Sequence, residues 1–526
     1  MTWQGRTALS FMLALCALGL GACSAVREDY VKKPSTALPP ATQTAYGRYI
    51  QAEVGQHPQD SGFRLLIKST NALMSRIALI DRARQSLDMQ YYIFANDATG
   101  RLVMQHMLAA ADRGVRVRLL IDDIDISHET NALDALDSHP NIEVRLFNPF
   151  YTRNPSLLSK AMQFLADASR LNRRMHNKSF IVDNEVAIIG GRNIGDDYFH
   201  VGKDMHFRDL DLIAIGPVVP EASKAFDAYW NCDAAYPVTA FRGHHGKPYD
   251  LAKLRVMLAH DARKFAQSDY AQAVIDKLPD GPSADKPGSW YWGPARLLAD
   301  QPEKVTEQRD DRSLRIGPKI KAITDQAQHS LLLVAPYFIP GDEGVRYLGQ
   351  LQQRGVSVQV LTNALAATDE PEVDAAYAPY RRPLLAEGVA LYELRPQGAA
   401  NPPSAKGRSS GTSLHAKAIV VDRRYTFIGS MNMDPRSRLL NTEMGIVVDS
   451  LPLADAVTTQ FFDRAVSPDS AFRVVLLDHH DGQPGSVAWQ VASGDGMLIE
   501  HHDPDTTIGR RIEAKLLGLL PIDSLL

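Results

Sequence analysis

The fold of this chain is decided by two stretches, HNKSFIVD at residues 176–183 and HAKAIVVD at residues 415–422. Each has the form His-x-Lys-x4-Asp, and an asparagine, Asn193 or Asn432, follows each histidine by 17 positions. Given how many histidines, lysines and aspartates the chain contains, one such motif is expected by chance about 0.2 times. Two copies with the same asparagine offset therefore indicate an internal repeat.

The sequence on the N-terminal side of each motif repeats in the same order. The first copy is predicted to contain a helix at 73–87, a strand at 87–94, a helix at 100–112 and a strand at 115–121. The second copy is predicted to contain a helix at 320–330, a strand at 331–338, a helix at 344–353 and a strand at 356–362. Landmark residues correspond, namely Ser86 with Ser330, Tyr92 with Tyr337 and Gly114 with Gly355. The two glycines are predicted to stop the helices that precede them. Strands that alternate with helices predict an α/β fold of two βαβ domains with pseudo-two-fold symmetry.

The residue types in the motifs suit chemistry on a phosphodiester. Histidine can attack phosphorus or donate a proton near neutral pH, and a neighbouring lysine supplies positive charge to a phosphoryl oxygen. On a strand, His and Lys two positions apart share one face. One histidine cannot be nucleophile and leaving-group acid in the same step, so two copies predict a shared active site. A structural histidine beside a lysine is a competing interpretation for one motif, but not for a matched pair.

The two motifs resemble the HKD signature of the phospholipase D superfamily, from about residue 63 to residue 450. Their finer pattern is similar to the bacterial cardiolipin synthase branch, especially its third type. The stretches that carry this similarity are QYYI at 90–93, RLNRRMHNK at 170–178, GGRNIGD at 190–196, DLD at 209–211, GSMNMDPRS at 429–437 and NTE at 441–443. The resemblance implies two fused phospholipase D-like domains that share one active site.

The resemblance also implies roles for the residues at matching positions. His176 would attack phosphorus and form a phosphatidyl-histidine, whereas His415 would protonate the leaving alcohol and then deprotonate the acceptor. Glu443 and Asp209 would orient the opposing imidazoles through Nδ1. The residues that would hold phosphate oxygens are Lys178, Lys417, Asn193 and Asn432. Neither a cofactor nor a metal is implied.

The last motif positions, Asp183 and Asp422, complete the catalytic signature. They are included in the predicted site, although a structural role is the more expected one for both. The three arginines before the first motif, Arg170, Arg173 and Arg174, could meet anionic headgroups or serve the local structure.

Composition limits the partners of the chain. The formal net charge is −4 over 526 residues, which does not favour nucleic acid as a ligand. The predicted organisation is a lipoprotein-type signal peptide at 1–22, a tether at 23–60, a first domain at 61–245, an insertion or linker at 246–312, a second domain at 313–480 and a C-terminal extension at 481–526. Within the insertion, the aromatic run at 290–292 is expected to serve packing rather than substrate binding.

The N-terminus has the pattern of an export signal. An apolar stretch at 9–20 is too short to span a bilayer comfortably, and it leads to Leu20-Gly21-Ala22-Cys23, which resembles a bacterial lipobox. Lipidation of Cys23 would anchor the protein in the cell envelope, facing the periplasm. Simple signal cleavage and an uncleaved anchor are the alternatives. The C-terminal segment at 508–520 is expected to be either an interfacial helix or a helix packed on the body.

The expected function is phosphatidyl transfer. Cardiolipin synthesis from phosphatidylglycerol and a second phospholipid, either phosphatidylglycerol or phosphatidylethanolamine, is the first hypothesis. Hydrolysis to phosphatidic acid is the alternative, because the same residues serve both reactions. A nuclease on the same fold and a non-catalytic lipid-binding lipoprotein are less favoured. The expected partners are these phospholipids and the membrane surface, and nucleic acid is not expected. An accessory protein is a further candidate partner.

Overall fold

The computed structural model of the protein describes residues 30–124, 130–151, 162–164, 166–202, 205–241, 250–275, 290–307, 311–396, 411–477, 485–493 and 496–519. The predicted signal peptide and Cys23 therefore lie outside the described residues.

The first domain is built on a nine-stranded sheet. Its strands are β1 (Ser61–Leu66), β2 (Ser86–Tyr91), β3 (Arg116–Asp122), β4 (Ile142–Phe147), β5 (Ser179–Val182), β6 (Val186–Gly190), β8 (Asp211–Ile215), β9 (Ala235–Pro237) and β10 (Tyr291–Gly293). They lie in the order β10-β1-β8-β6-β5-β2-β3-β4-β9. The pairs β2–β3 and β3–β4 are parallel, and the other neighbours are antiparallel.

The second domain is built on a ten-stranded sheet. Its strands are β11 (Ala295–Ala299), β12 (Ser330–Val334), β13 (Ser357–Asn363), β14 (Ala390–Leu394), β16 (Ala418–Val421), β17 (Tyr425–Gly429), β18 (Met444–Asp449), β19 (Ala471–Leu477), β20 (Ser486–Ser493) and β21 (Gly496–Glu500). Their order is β11-β18-β17-β16-β12-β13-β14-β19-β20-β21. The remaining strands, β7 (Met205–Arg208) and β15 (Gly411–Leu414), form a separate parallel pair between the domains.

Short and medium helices connect and cover the strands. They are α1 (Ala45–Gly55), α2 (Ser69–Arg82), α3 (Ala98–Asp112), α4 (Thr130–Asp137), α5 (Ala168–Leu171), α6 (Asp196–Phe199), α7 (Val218–Asn231), α8 (Leu251–Ala266), α9 (Asp269–Ile275), α10 (Glu303–Thr306), α11 (Gly317–Thr324), α12 (Gly341–Gln353), α13 (Pro371–Ala386), α14 (Pro435–Leu439), α15 (Leu451–Val457), α16 (Asp463–Ala465) and α17 (Ile508–Leu517). A π-helical turn, Thr458–Phe462, links α15 to α16. Among the described residues, no helix is both long enough and apolar enough to cross a bilayer.

The predicted α/β fold with two related domains is confirmed by the strand order. The six central strands β8-β6-β5-β2-β3-β4 of the first sheet match β18-β17-β16-β12-β13-β14 of the second. The parallel strands also occupy equivalent positions in the two domains. In each domain a helix follows the first parallel strand, β2 or β12, and leads to the parallel strand beside it, β3 or β13. The predicted helix stops are also equivalent, since Gly114 and Gly355 both take positive φ angles, 93° and 86°.

The two sheets share one hydrophobic core between them. Side chains from the first sheet, such as Leu120 and Ile181, cluster with side chains from the second, such as Leu332 and Val420. The outer faces carry separate cores beneath α2 and α3 in the first domain and beneath α12 and α13 in the second. The domains are therefore joined through their inner sheet faces, at whose edge the two motifs lie.

The first helix of each repeat ends earlier than predicted. Helix α2 ends at Arg82 and α11 at Thr324, rather than at 87 and 330. The backbone amides of residues 84–86 donate to the carboxylate of Asp183, and those of residues 328–330 donate to Asp422. Because these amides bind the last residue of the motif, they cannot continue the helix.

The prediction of a tether at 23–60 is wrong from residue 30 onward. Residues 30–41 form a strap that packs on the first domain. The backbone oxygen of Ser35 accepts from Arg118 Nη1 at 3.0 Å, and the Ser35 hydroxyl accepts from Trp230 Nε1 at 2.9 Å. Ala41 is fully buried, and residues 45–55 form α1. Buried polar groups of the sheet and of α7 find their partners in this strap, which explains why it is held.

The predicted insertion at 246–312 is not separate from the repeat. It supplies β10 to the edge of the first sheet and, after Pro294, β11 to the edge of the second. The aromatic run serves packing as predicted: Arg64 lies 4.0 Å from the ring centre of Trp290, and His57 stacks on Trp292. The predicted C-terminal extension also belongs to the second domain in part, since β20 and β21 continue its sheet.

Candidate active site

Each motif histidine lies in an extended segment that crosses from its own sheet to the other domain. The prediction that His-x-Lys is part of a strand is wrong, because β5 and β16 begin only after the lysines. The His176 amide donates to Thr442 O at 3.0 Å, and the His415 amide donates to Arg208 O at 2.9 Å. Pairing with the opposite domain therefore takes these residues out of their own sheets and into the interface.

The crossing segments bring each imidazole to a carboxylate of the other domain. His176 Nδ1 lies 2.9 Å from Glu443 Oε2, and His415 Nδ1 lies 2.7 Å from Asp209 Oδ2. Both carboxylates are fully buried, and both histidines are less than a tenth exposed. The two half-sites are thus interlocked, and Nε2 of each ring is left for a ligand.

The two carboxylates have different surroundings. Burial raises the pKa of Asp209, but the positive charges around it, His415 first, outweigh burial and hold the pKa well below its usual range. Burial raises the pKa of Glu443 to about 7, and this carboxylate accepts hydrogen bonds from the hydroxyls of Ser430 and Ser437. His415 therefore faces a firmly ionised partner, whereas His176 faces one that is easily protonated.

The two motif lysines crowd positive charge into the same interior. Each donates to the backbone oxygen of its own motif histidine, Lys178 at 2.8 Å and Lys417 at 2.6 Å. Burial lowers the pKa of Lys417 to about 8, and burial together with the nearby Lys417 charge lowers the pKa of Lys178 well below its ordinary value. Burial and the lysines also lower the pKa of His415 to about 3. The two lysines and His415 thus oppose one another's protonation, and the negative charge of a bound phosphodiester would favour their charged forms.

The two motif asparagines differ in how they are held. Asn193 Oδ1 accepts from the Ile93 amide at 3.1 Å, and its Nδ2 donates to the Tyr198 hydroxyl at 2.8 Å. Asn432 is 4% exposed, and within the described part of the chain its Oδ1 has no hydrogen-bond partner. The Asn432 amide is therefore available to a ligand, in either of its two flip orientations.

Several residues of the site were not identified from the sequence. The Tyr198 ring meets His415 edge-on at 5.1 Å, as the Tyr92 ring meets His176 at 5.0 Å. Ser437 holds Glu443, and both Tyr198 and Ser437 lie five positions after a motif asparagine. This shared offset is the sequence signal that could have pointed to Tyr198 and Ser437. Because one residue is a tyrosine and the other a serine, the repeat alone does not reveal what either does.

Asp183 and Asp422 lie away from the cavity and act on the backbone, which corrects their place in the predicted catalytic set. Both have positive φ angles, 53° and 52°, in the turn after the motif strand. Each carboxylate accepts three backbone amides from the loop that follows the first helix of its repeat, as Asp183 does from Gln85 at 2.7 Å and Ser86 at 2.9 Å. They tie the motif strand to the neighbouring loop.

The histidines open into one cavity of about 680 Å³ between the domains. Its wall is strongly acidic, because seven carboxylates and one guanidinium line it. These are Asp97, Asp196, Asp197, Asp369, Glu370, Glu372 and Asp434, with Arg436. The Tyr337 hydroxyl donates to Asp369 at 2.9 Å. The charged side chains of the cavity wall are therefore mostly acidic, whereas the two motif lysines are buried behind it, bonded to the backbone of the histidines.

The arginines before the first motif are taken up by protein partners. Arg174 is fully buried and donates from Nε to Asp122 at 2.8 Å. Arg170 pairs with Asp167, and Arg173 donates to Lys304 O at 2.9 Å. The local-structure interpretation is therefore the one that the contacts favour. Within the described ranges, no group of three or more histidine, cysteine, aspartate or glutamate side chains could hold a metal ion.

Comparisons with known proteins find relatives over most of the chain. The family described as "Cardiolipin synthase, PLD-like domain" matches residues 77–230 and 320–465. Cardiolipin synthase C of Escherichia coli (strain K12) is 39% identical over 477 residues, which cover 90% of this chain and 97% of that protein. An uncharacterized protein of Helicobacter pylori (strain J99) is 35% identical and covers 93% of this chain and 94% of its own length.

Among solved structures, phosphatidylserine synthase of Haemophilus influenzae Rd KW20 has the same fold. Its TM-score is 0.52 at 14% identity, with 83% of this chain and 95% of that chain covered. Both halves of the family match fall on the two domains that carry the motifs. The chain therefore belongs to the family of cardiolipin synthases with phospholipase D-like domains.

Proposed function

We propose that this protein makes cardiolipin by transferring a phosphatidyl group from a donor phospholipid to the terminal hydroxyl of phosphatidylglycerol. The observation that carries the proposal is the pairing of each imidazole with a carboxylate of the opposite domain inside one cavity. A double displacement on phosphorus can use one histidine as nucleophile and a second as acid and base, and this cavity holds two histidines. The similarity to cardiolipin synthase C over 90% of the chain supports this choice of reaction.

In the first step, His176 Nε2 attacks the donor phosphorus, and the bond from phosphorus to the headgroup oxygen breaks. The His415 imidazolium gives its Nε2 proton to that oxygen, so that the headgroup leaves as a neutral alcohol. Asp209 faces His415 as a firmly ionised carboxylate and stabilises the imidazolium. This difference between their partners supports the proposed roles of the two histidines.

In the second step, the terminal hydroxyl of phosphatidylglycerol attacks the phosphorus of the phosphatidyl-histidine. Neutral His415 accepts the hydroxyl proton, the bond from phosphorus to His176 breaks, and cardiolipin leaves. Water in place of the glycerol hydroxyl would give phosphatidic acid, which is the hydrolytic alternative. The burial of both histidines limits the access of water and favours the lipid acceptor.

Charge balance links binding to protonation. In the empty cavity the pKa of His415 lies near 3, because burial and the lysine charges oppose protonation. The negative charge of a bound phosphodiester between Lys178 and Lys417 offsets those charges, and the pKa of His415 rises. The general acid is therefore charged when the donor is bound, which couples substrate binding to the chemical step.

The acidic wall of the cavity supports phosphatidylethanolamine as the donor. A cationic ammonium group suits a wall of seven carboxylates, whereas an anionic lipid headgroup gains less there. Asp369 accepts from the Tyr337 hydroxyl through Oδ2, and its buried Oδ1 has no hydrogen-bond partner within the described part of the chain. We propose that it contacts the ethanolamine ammonium before transfer.

We further propose that the protein works in the cell envelope, held by a lipid on Cys23 and facing the periplasm. The lipobox-like sequence before Cys23 and the exposed apolar side of α17 support a membrane surface as the place of work. Radiolabelled palmitate incorporated by cells carrying the native chain, but not by cells carrying Cys23→Ser, is the expected result.

The function is tested with purified protein on liposomes that contain both phosphatidylglycerol and phosphatidylethanolamine. One arm carries the acyl label on phosphatidylethanolamine and the other on phosphatidylglycerol. Labelled cardiolipin in both arms is expected, with release of free ethanolamine. Asp369→Asn should lower the use of phosphatidylethanolamine more than that of phosphatidylglycerol as donor, while His415→Asn is the inactive control.

The products separate the alternatives. Phosphatidic acid without cardiolipin would sink the transferase proposal and favour the hydrolase. Equal cardiolipin yields from the native chain and from His415→Asn would show that the identified cavity is not the reaction site.

A further inference from the structure

A second cavity, of about 790 Å³, adjoins the active-site cavity in the second domain. It lies between α11 and α12, over the outer face of the sheet, and we name it the α11–α12 groove. Ile339, Asn432 and Asp434 line both cavities. The groove therefore ends at a motif asparagine, next to where the phosphodiester would react.

The floor of the groove is apolar. Leu331 and Leu333 of β12 and Ile419 of β16 form it, together with Phe338 and Met431, and each is less than a tenth exposed. At the mouth, Leu439 is an exposed apolar residue, 38% accessible. A groove of this character suits a hydrocarbon chain, because the chain would contact apolar side chains there instead of water.

The groove breaks the symmetry between the two domains. In the first domain the equivalent helices are α2, with 14 residues, and α3, and they pack directly on each other. Their inner side chains, such as Leu73 and Met107, are fully buried. In the second domain α11 has only eight residues, and it is bridged to α12 by a 2.6 Å hydrogen bond between Thr324 and Tyr347. A space that one domain fills is therefore left open in the other, beside the site.

The two cavities have opposite charge. Five basic side chains line the groove against two acidic ones, whereas seven carboxylates line the active-site cavity. The basic side chains are Arg312, Arg315, Lys321, Arg346 and Arg438, and the acidic ones are Glu343 and Asp434. Lys321 pairs with Asp325, and Arg438 lies 3.9 Å from Glu343. The positive excess thus centres on the side of Arg312 and Arg346, which are both exposed.

We propose that the α11–α12 groove binds an anionic phospholipid, with an acyl chain on its apolar floor and its phosphate near Arg312 and Arg346. This lipid is the acceptor, and its terminal hydroxyl reaches the active-site cavity past Ile339 and Asn432. The inference rests on the proposed function, because it assigns separate places to donor and acceptor. An acidic cavity and a basic groove that meet at one asparagine allow two lipids of different charge to be bound at the same time.

The chain offers a variant that fills the groove. A Cβ built at Gly317 meets only the Met431 methyl group, at 3.7 Å, so a larger side chain at this position has room to extend into the groove. Gly317→Leu should raise KM for long-chain phosphatidylglycerol at least tenfold. It should raise KM for the short-chain dihexanoyl phosphatidylglycerol less than twofold. Gly317→Ala is the matched control, because Pro318 restricts the backbone of both variants equally. In Gly317→Ala the ratio of the two KM values should stay within twofold of the native ratio.

A second pair of variants tests the charge of the groove. Arg312→Gln combined with Arg346→Gln should raise KM for long-chain phosphatidylglycerol and weaken its dependence on salt, because two cations near the phosphate are lost. Lys264→Gln, an exposed residue of α8 in the first domain, is the control for the loss of surface charge. An unchanged KM in the double variant would overturn the assignment of the phosphate to these arginines.

A direct measurement separates this proposal from the proposed function. Phosphatidylglycerol with a photoreactive group at the end of an acyl chain is cross-linked to His176→Asn protein, which lacks the proposed nucleophile and cannot turn the lipid over, and the labelled peptides are identified. Labels within residues 331–348 and 431–439 are expected. If the native chain made no cardiolipin but these peptides were labelled, the proposed reaction would fail and the groove would stand. Cardiolipin synthesis with labels elsewhere, and equal KM ratios for Gly317→Leu and Gly317→Ala, would overturn the groove.

Discussion

At the scale of single residues, the two imidazoles differ in the carboxylate that each one faces, and this difference predicts their roles. Asp209 is ionised and lies 2.7 Å from His415, so it favours the imidazolium that a general acid needs. Asp209→Asn should therefore lower the rate of phosphatidyl transfer between lipids by about 10²–10⁴-fold, the usual contribution of general acid–base catalysis. The measurement is the initial rate of cardiolipin formation.

The nature of the leaving group distinguishes an acid from a nucleophile. A p-nitrophenyl ester leaves without a proton, so the burst of p-nitrophenolate from a p-nitrophenyl phosphodiester should survive in Asp209→Asn and in His415→Asn. The burst should be absent in His176→Asn. Loss of the burst in His415→Asn, with retention in His176→Asn, would reverse the assigned roles.

The lysine pKa values predict different pH profiles for the empty and the loaded enzyme. Burial lowers the pKa of Lys417 to about 8, so its ammonium loses its charge as pH rises through 8 in the free enzyme. The value of kcat/KM should therefore fall above about pH 8. A bound phosphodiester favours the charged lysine and raises its pKa, so the fall in kcat should occur at higher pH. Superimposable alkaline limbs in the two profiles would contradict this account.

At the scale of helices and strands, the last residue of each motif sets where a helix ends. The Asp183 carboxylate is buried and accepts backbone amides of residues 84–86, while Asp422, which is half-buried, does the same for residues 328–330. Asparagine tolerates the positive φ at these positions but offers one acceptor oxygen instead of two.

Asp183→Asn should therefore destabilise the protein by about 1–3 kcal/mol, and Asp422→Asn by less, because an unsatisfied amide costs more where it is buried. The melting temperatures of both variants and of the native chain check the order. A greater loss of activity than of stability in either variant would place these aspartates in the chemistry after all.

How far the elements could be predicted depends on the range of the interactions that fix them. The βαβ repeat and the glycine helix stops follow from local periodicity, and both were predicted. The path of His176 and His415 was not, because their amides bind Thr442 and Arg208 of the other domain, contacts that no local pattern reveals. Symmetry was also misleading at α11, which is six residues shorter than α2 and leaves a groove that the repeat does not predict.

At the scale of the whole molecule, the site exists only because the two domains interlock. Residues matching the family pattern could be identified from the sequence, including Glu443 and Asp209 as partners of the opposing imidazoles. The acidic wall could not, because its carboxylates come from four separate parts of the chain, near residues 97, 196, 369 and 434. The strap at 30–41 was likewise missed, because its polar, proline-containing sequence resembles a linker and its partners are distant.

The outer surface of the second domain predicts how the molecule meets a bilayer. Helix α17 buries a charged residue and exposes apolar ones, which is the reverse of a helix packed on a core. Arg510 is buried, while Ile512 and Leu516 are 52% and 60% exposed. Arg510 donates to Leu365 O at 2.8 Å and to Thr368 O at 2.6 Å, in the loop that carries Asp369 to the cavity wall. Helix α17 is therefore held beside the active-site cavity through Arg510, with its apolar side exposed, and we expect that side to contact the membrane.

Ile512→Glu combined with Leu516→Glu should weaken binding to phospholipid vesicles at least about tenfold, because burying each such side chain contributes about 1.5–3 kcal/mol when complete. The variants are made in a Cys23→Ser background, so that a lipid anchor does not hide the effect, and binding is measured by co-sedimentation. Val256→Glu is the control, since Val256 is an even more exposed apolar residue on α8 of the first domain, 71% accessible. If Val256→Glu weakened vesicle binding as much, the membrane would not bind α17 specifically. If only the α17 variant weakened binding, the side of the molecule that carries α17 and the active-site cavity would face the membrane.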